Sequence, residues 1–155
     1  MENAKQVKIL IRYESPVLDK ITVETLWATV IDNALGLYKL DNIPFYGPQL
    51  ACGDIVFAEY DPAEEMLTYR HTVEYSGNSV VLVVLMDKVT DVELTRGEFK
   101  KLGCESESTG TRYFAMEIPS ELDYTPIKKV LTDYFKKGIL DYSEPCLSDK
   151  HSQRS

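Results

Sequence analysis

Histidine is scarce in this sequence: two in 155 residues, His71 and His151. A Ser–His–Asp or Cys–His nucleophile needs an imidazole to take its proton, and only His71 offers such a base away from the polar C-terminal stretch. It sits in YRHTVEY, where strand alternation groups it with Val73 and Tyr75 and predicts a half-buried histidine rather than a catalytic one. Cysteine is scarce too. Cys52, Cys104 and Cys146 are an odd, widely spaced set, unlike a disulfide framework or the paired C-x-x-C of a zinc site. They predict reduced thiols in a cytoplasmic protein. Two histidines and scattered thiols do not make a transition-metal site. The acidic cluster Asp61, Glu64 and Glu65 lacks the glycine-centred spacing of an EF-hand loop. No metal, cofactor or catalytic residue is therefore expected. A phosphate cradle is also missing, since no G-x-G-x-x-G or Walker sequence occurs and Gly53-Asp54 leads into a strand. No apolar run reaches the ~18–20 residues of a membrane span. The opening MENAKQVKILIRYES is punctuated by charges, unlike a signal sequence, so cytoplasmic localisation without a membrane partner is the expectation.

What is present is an ordinary apolar fraction, 44%, with a strongly acidic charge balance, −8 overall. The charge is uneven. Residues 1–76 hold 6 Lys/Arg against 12 Asp/Glu, whereas residues 77–155 hold 11 against 13. Nucleic acid is bound by cations that neutralise phosphates, so the acidic half argues against a nucleic-acid ligand. It favours a basic partner instead.

Alternation in residues 6–13, with Val7, Ile9 and Ile11 on one face, predicts a half-buried strand. Residues 21–31, 36–40, 54–60 and 66–75 read as four more strands, with Asp32-Asn33, the loop Asn42–Gly47 and Asp61-Pro62 as breaks. Five short strands predict a small antiparallel SH3-like or OB-like β-barrel over residues 1–76. Ser76-Gly77-Asn78 marks a boundary. Beyond it, VVLVVLM at 80–86 reads as a strand covered on both faces. Thr90 with Glu93 predicts a capping box for a helix whose apolar side is Val92, Phe99 and Leu102, ending at Gly103. A hairpin follows around Thr109-Gly110. Thr125 as N-cap and Pro126 open a second helix, striped with Ile127, Val130, Leu131, Tyr134 and Phe135 and ending at Gly138. A final strand covers 139–142. The order β-α-β-β-α-β predicts a ferredoxin-like plait over 77–148, on which the barrel packs. The overall class is α+β. Residues 149–155 are expected to be a flexible tail.

The motifs LWA at 26–28, GLYKLDNIPFYG at 36–47, GDIV at 53–56, YSGNSVVLVV at 75–84 and LGC at 102–104 resemble a bacterial family, domain of unknown function 4265. The resemblance spans roughly residues 7–148 and is most specific at Tyr38, Asn42, Pro44, Phe45 and Asp54. It implies a bacterial, cytosolic, single-unit protein and brings no activity, substrate or cofactor with it.

Residue by residue, Asp54 after Gly53 is expected to fix a turn through backbone N–H groups, although Asp54 with Glu59 could also serve acid–base chemistry. Asn42 is expected to cap the loop before Pro44. Tyr38 and Phe45 fit a core better than a surface. Tyr46, Glu59, Tyr60, Asp61, Glu64 and Glu65 combine rings with carboxylates at a loop tip, a pattern suited to a basic protein surface. The sequence thus predicts a non-enzymatic acidic protein-binding module, of the kind that serves as an immunity protein or antitoxin against a basic toxin domain. A small-molecule-binding regulatory module is the alternative. An enzyme using Asp54, Glu59 or His71 ranks last.

Overall fold

A computed structural model of the chain describes residues 5–15, 20–45, 49–108 and 110–152, with backbone alone at 14–15 and 20–22. The chain divides into two compact units, Met1–Ser76 and Gly77–Ser155. The class is mixed α+β, with one five-stranded and one four-stranded sheet.

In the first unit the strands are β1 (Gln6–Ser15), β2 (Lys20–Asp32), β3 (Leu37–Leu40), β4 (Ile55–Asp61) and β5 (Met66–Glu74). Each pairs antiparallel with the next. A parallel contact between Leu10 and Thr68 joins β1 to β5 and closes the ring. Alternation sets what faces inward: Ile9 and Ile11 from β1, Leu26 and Ala28 from β2, Tyr38 and Leu40 from β3, and Val56 and Ala58 from β4. Bulges interrupt the ladders at Val30–Asp32, Ile55–Val56 and Phe57–Ala58. They raise local twist and let few strands curl into a ring. Between β2 and β3, Gly36 has φ +72°, and a Cβ there would meet the Ala58 carbonyl oxygen at 2.9 Å. The close approach serves a backbone bond, Ala58 N–H to Gly36 O at 3.0 Å.

The second unit runs β6 (Ser79–Leu85), α1 (Val92–Lys101), β7 (Ser106–Ser108), β8 (Tyr113–Ile118), α2 (Thr125–Lys136), β9 (Leu140–Cys146) and α3 (Asp149–Ser152). Its sheet has the order β7-β8-β6-β9, antiparallel throughout. Val81, Val83 and Leu85 of β6 and Phe114, Met116 and Ile118 of β8 form one core with Phe99 of α1 and Ile127 and Leu131 of α2. Both helices therefore cover the same face.

Several local expectations need correction. β6 is not covered on both faces along its length: Val80 is buried, but Val84 is 37% exposed. The cap of α1 is Asp91, not Thr90. Its Oδ1 accepts from the N–H groups of Glu93 (2.8 Å) and Leu94 (3.1 Å), while the Thr90 hydroxyl donates to Asp87 at 2.6 Å. Leu102 lies past the end of α1 and is exposed, and Thr95 takes the buried place beside Phe99. For α2, Thr125 is the first helical residue, and Asp123 accepts from its N–H at 2.9 Å. Residues 149–152 are not a flexible tail but the short helix α3, with His151 buried.

Candidate functional site

The family-signature loop between β3 and β4 is built as a clamp. Asp54, 1% exposed, accepts from Ala51 N–H at 3.1 Å and Ser76 N–H at 2.8 Å. Its carboxyl is pushed above the ordinary range because desolvation outweighs these bonds. Ser76 adds a hydroxyl bond to Cys52 O at 3.0 Å. Asn42 does not cap its own loop. Its Oδ1 accepts Trp27 N–H at 2.8 Å and pins the loop to β2. Phe45 N–H donates to Glu24 at 2.6 Å. Tyr38 and Pro44 are buried and Phe45 is half-buried. Asp54 and Asn42 thus commit their side-chain oxygens to holding the loop.

The acidic turn that joins β4 to β5 is less bare than its composition implies. Glu59 and Asp61 both pair with Arg70, at 3.0 and 3.1 Å, and Glu64 pairs with Arg12. Asp61 also accepts Ala63 N–H at 2.8 Å. The Arg70 guanidinium holds its carboxyl below the usual range. Glu65 has φ +59° at the turn. Tyr60 is 61% exposed and leads into it. Tyr46 lies outside the described residues.

The candidate acid–base residues do not converge. Asp54 is buried in its clamp, Glu59 is bound to Arg70, and His71 is exposed rather than half-buried, with its ring 5.2 Å from that of Phe57. Among the described residues no group of three or more His, Cys, Asp or Glu is placed to hold a metal ion. Burial pushes the Cys104 thiol up to about 12, which leaves it a packed side chain rather than a nucleophile.

One polar cluster escaped the sequence. His151 Nε2 faces the Leu122 carbonyl at 3.0 Å, so it must carry the proton. Nδ1 then accepts from the hydroxyls of Ser79 (2.6 Å) and Ser148 (3.1 Å). Ser79 Oγ in turn accepts Ser148 N–H at 2.8 Å. A serine hydroxyl aimed at an imidazole has the geometry of an activated nucleophile, but Ser79 is fully buried, so the cluster ties α3 to β6. Ser148, a favoured N-cap type, was its one cue in the sequence. A second cluster joins Tyr124 and Lys128, which both donate to Glu144 Oε2, at 2.6 and 2.7 Å. Lys128 also stands over the Tyr142 ring at 5.2 Å.

Residues 24–142 match the family described as Domain of unknown function (DUF4265). The chain belongs to that family. In fold it is similar to a hypothetical protein from Neisseria gonorrhoeae known from a crystal structure. That likeness has a TM-score of 0.79 at 24% identity and covers 95% of this chain and 99% of the other. No curated protein matches. Among the described residues no helix is long and apolar enough to cross a membrane.

Proposed function

We propose that this chain is a non-enzymatic module that binds a basic protein through the β4–β5 turn, in the manner of a cytoplasmic immunity protein or antitoxin. The observation that carries the reading is Tyr60. Its ring stands 61% exposed beside a turn that holds Asp61, Glu64 and Glu65. Rings of this kind anchor interfaces, and carboxylates around them select cations. Arg70 already engages Glu59 and Asp61, and Arg12 engages Glu64. Net attraction therefore rests on Glu65 and on the acidic balance of residues 1–76. The same reading takes the five-stranded ring as a small SH3-like or OB-like barrel, and the β7-β8-β6-β9 sheet with its two helices as a ferredoxin-like plait.

The test is affinity capture from the host lysate at low and moderate salt, with wild type beside a Tyr60→Ala/Glu65→Lys variant. A basic protein held by wild type, weakened at least tenfold in the variant and released by salt, supports the reading. Equal capture by both proteins overturns it.

A second reading, a small-molecule regulatory module, draws on a depression of about 420 Å³ at the start of α1, lined by Lys88, Thr90, Asp91, Glu93, Ser108 and Arg112. A metabolite that raises the melting temperature of wild type, but not of an Arg112→Ala variant, would favour it.

A further inference from the structure

The outer face of β2 is out of keeping with a strand that has only to fold. Its even-numbered residues Leu26 and Ala28 fill the core. On the other side Val23, Trp27 and Ile31 stand 48, 44 and 49% exposed. They are four residues apart, so they form one row with steps of about 13 Å. Large apolar groups that share one exposed face offer a partner apolar area to bury.

Among the described residues, cations outnumber the one carboxylate, Asp41, that the flanking strands hold against this row. Lys8 lies opposite Trp27 on β1, with Nζ 5.1 Å from the ring centroid. Lys39 lies opposite Thr29 on β3. Both lysines are exposed, and neither has an ion-pair partner among the described residues. The nearby carboxylate, Asp41, has one oxygen filled by Gln6 Nε2 and Thr29 Oγ1, each at 2.7 Å. Arg12, opposite Val23, is engaged by Glu64. The face is thus an apolar row with an ammonium on each side and the Asp41 carboxylate tied to Gln6 and Thr29, carried by a chain of net charge −8.

We infer that this face binds an acidic polypeptide segment, with carboxylates on Lys8 and Lys39 and apolar side chains against Trp27, Val23 and Ile31. Charge complementarity selects the sign of the partner. The single ring selects its class. Binding a single-stranded nucleic acid calls for successive aromatic platforms along a cationic track, and the row holds one aromatic and two cations. Its Val23 end adjoins the β4–β5 turn through the Arg12–Glu64 pair, but the row calls for a partner of opposite charge to the one proposed for Tyr60.

Trp27 is the one tryptophan in the chain, so its emission reports directly on this face. The probe is a tryptophan-free decapeptide of Asp and Glu with two leucines, titrated at low salt. Controls are the same peptide with Lys in place of the acidic residues, and oligothymidylate. The expected result is a saturable blue shift with the acidic peptide alone. It should weaken at least tenfold in Lys8→Glu/Lys39→Glu, persist in Lys8→Arg/Lys39→Arg, and be unchanged in the Tyr60→Ala/Glu65→Lys protein. No saturable response overturns the inference, as does an equal response to the lysine peptide or one undiminished in the double Glu variant. A response to oligothymidylate alone overturns it in favour of nucleic acid.

Discussion

Asp54 shows how one side chain can decide a loop. Replacing it by Ala leaves the buried N–H group of Ala51 and the half-buried one of Ser76 without their acceptor. Each orphaned donor costs about 1–3 kcal/mol, so Asp54→Ala should lower unfolding stability by about 3 kcal/mol, read from the shift of a denaturation midpoint at constant slope. The carboxyl also links stability to pH. Burial raises its native pKa above the unfolded value, which is about 4. Between those two values the native state holds more proton than the unfolded one, so this group's contribution falls as pH rises through the window. Asp54→Asn should flatten that slope, and an identical pH profile in the variant would show that Asp54 does not carry it. The Ala51 bond was readable from Gly53-Asp54, because it closes within three residues, whereas the bond to Ser76, twenty-two positions away, was not. Asn42 was misread for the same reason. Its partner, Trp27 N–H, is fifteen residues away, and no local pattern encodes that contact.

At the scale of the element, alternation carried the strands of the ring. It placed Ile9 and Ile11 of β1 inward, although Leu10 between them is buried as well, and it left the inward side of β2 unread. Cross-strand partners could not be read either, because the bulges shift the register between β4 and β5. Arg70 reaches Glu59 and Asp61, and Arg12 reaches Glu64, which explains why a turn that reads as bare acid is half neutralised. The start of α1 was displaced by one residue because Thr90 and Asp91 are both good caps, and the chain gives Thr90 to Asp87 instead. Asp91→Ala should therefore cost about 1 kcal/mol, and Thr90→Ala clearly less. Thermal unfolding of the two variants decides between the caps, and the reverse order would restore Thr90. The apolar row on β2 was hidden for another reason. The parity of Trp27 against Ile21 and Val23 is clear in sequence, but which parity faces the core depends on the whole ring.

For the molecule as a whole, the α+β class and the order of the elements were legible in capping signals, turns and periodicity. The sites were less so. Composition located the acidic half but not which carboxylates are already paired. The Ser79–His151 bond spans 72 positions, beyond any pattern in the chain. The strand order of the second unit predicts its dynamics. β6 is bonded on both sides, to β8 and β9, whereas β7 is a three-residue edge. Amide hydrogen exchange should be slowest at β6 and fast at β7, and a β7 that outlasts β6 would contradict the order. The same arrangement bears on synthesis at the ribosome. β6 emerges first in its unit as the apolar run SVVLVVL, yet its neighbours are translated later, β9 only after two helices and a hairpin. Until β8 arrives both edges of this strand are open to other chains, and until β9 arrives one edge still is. Slowing translation between β8 and β9 prolongs the exposure of that edge and should lower the yield of native protein.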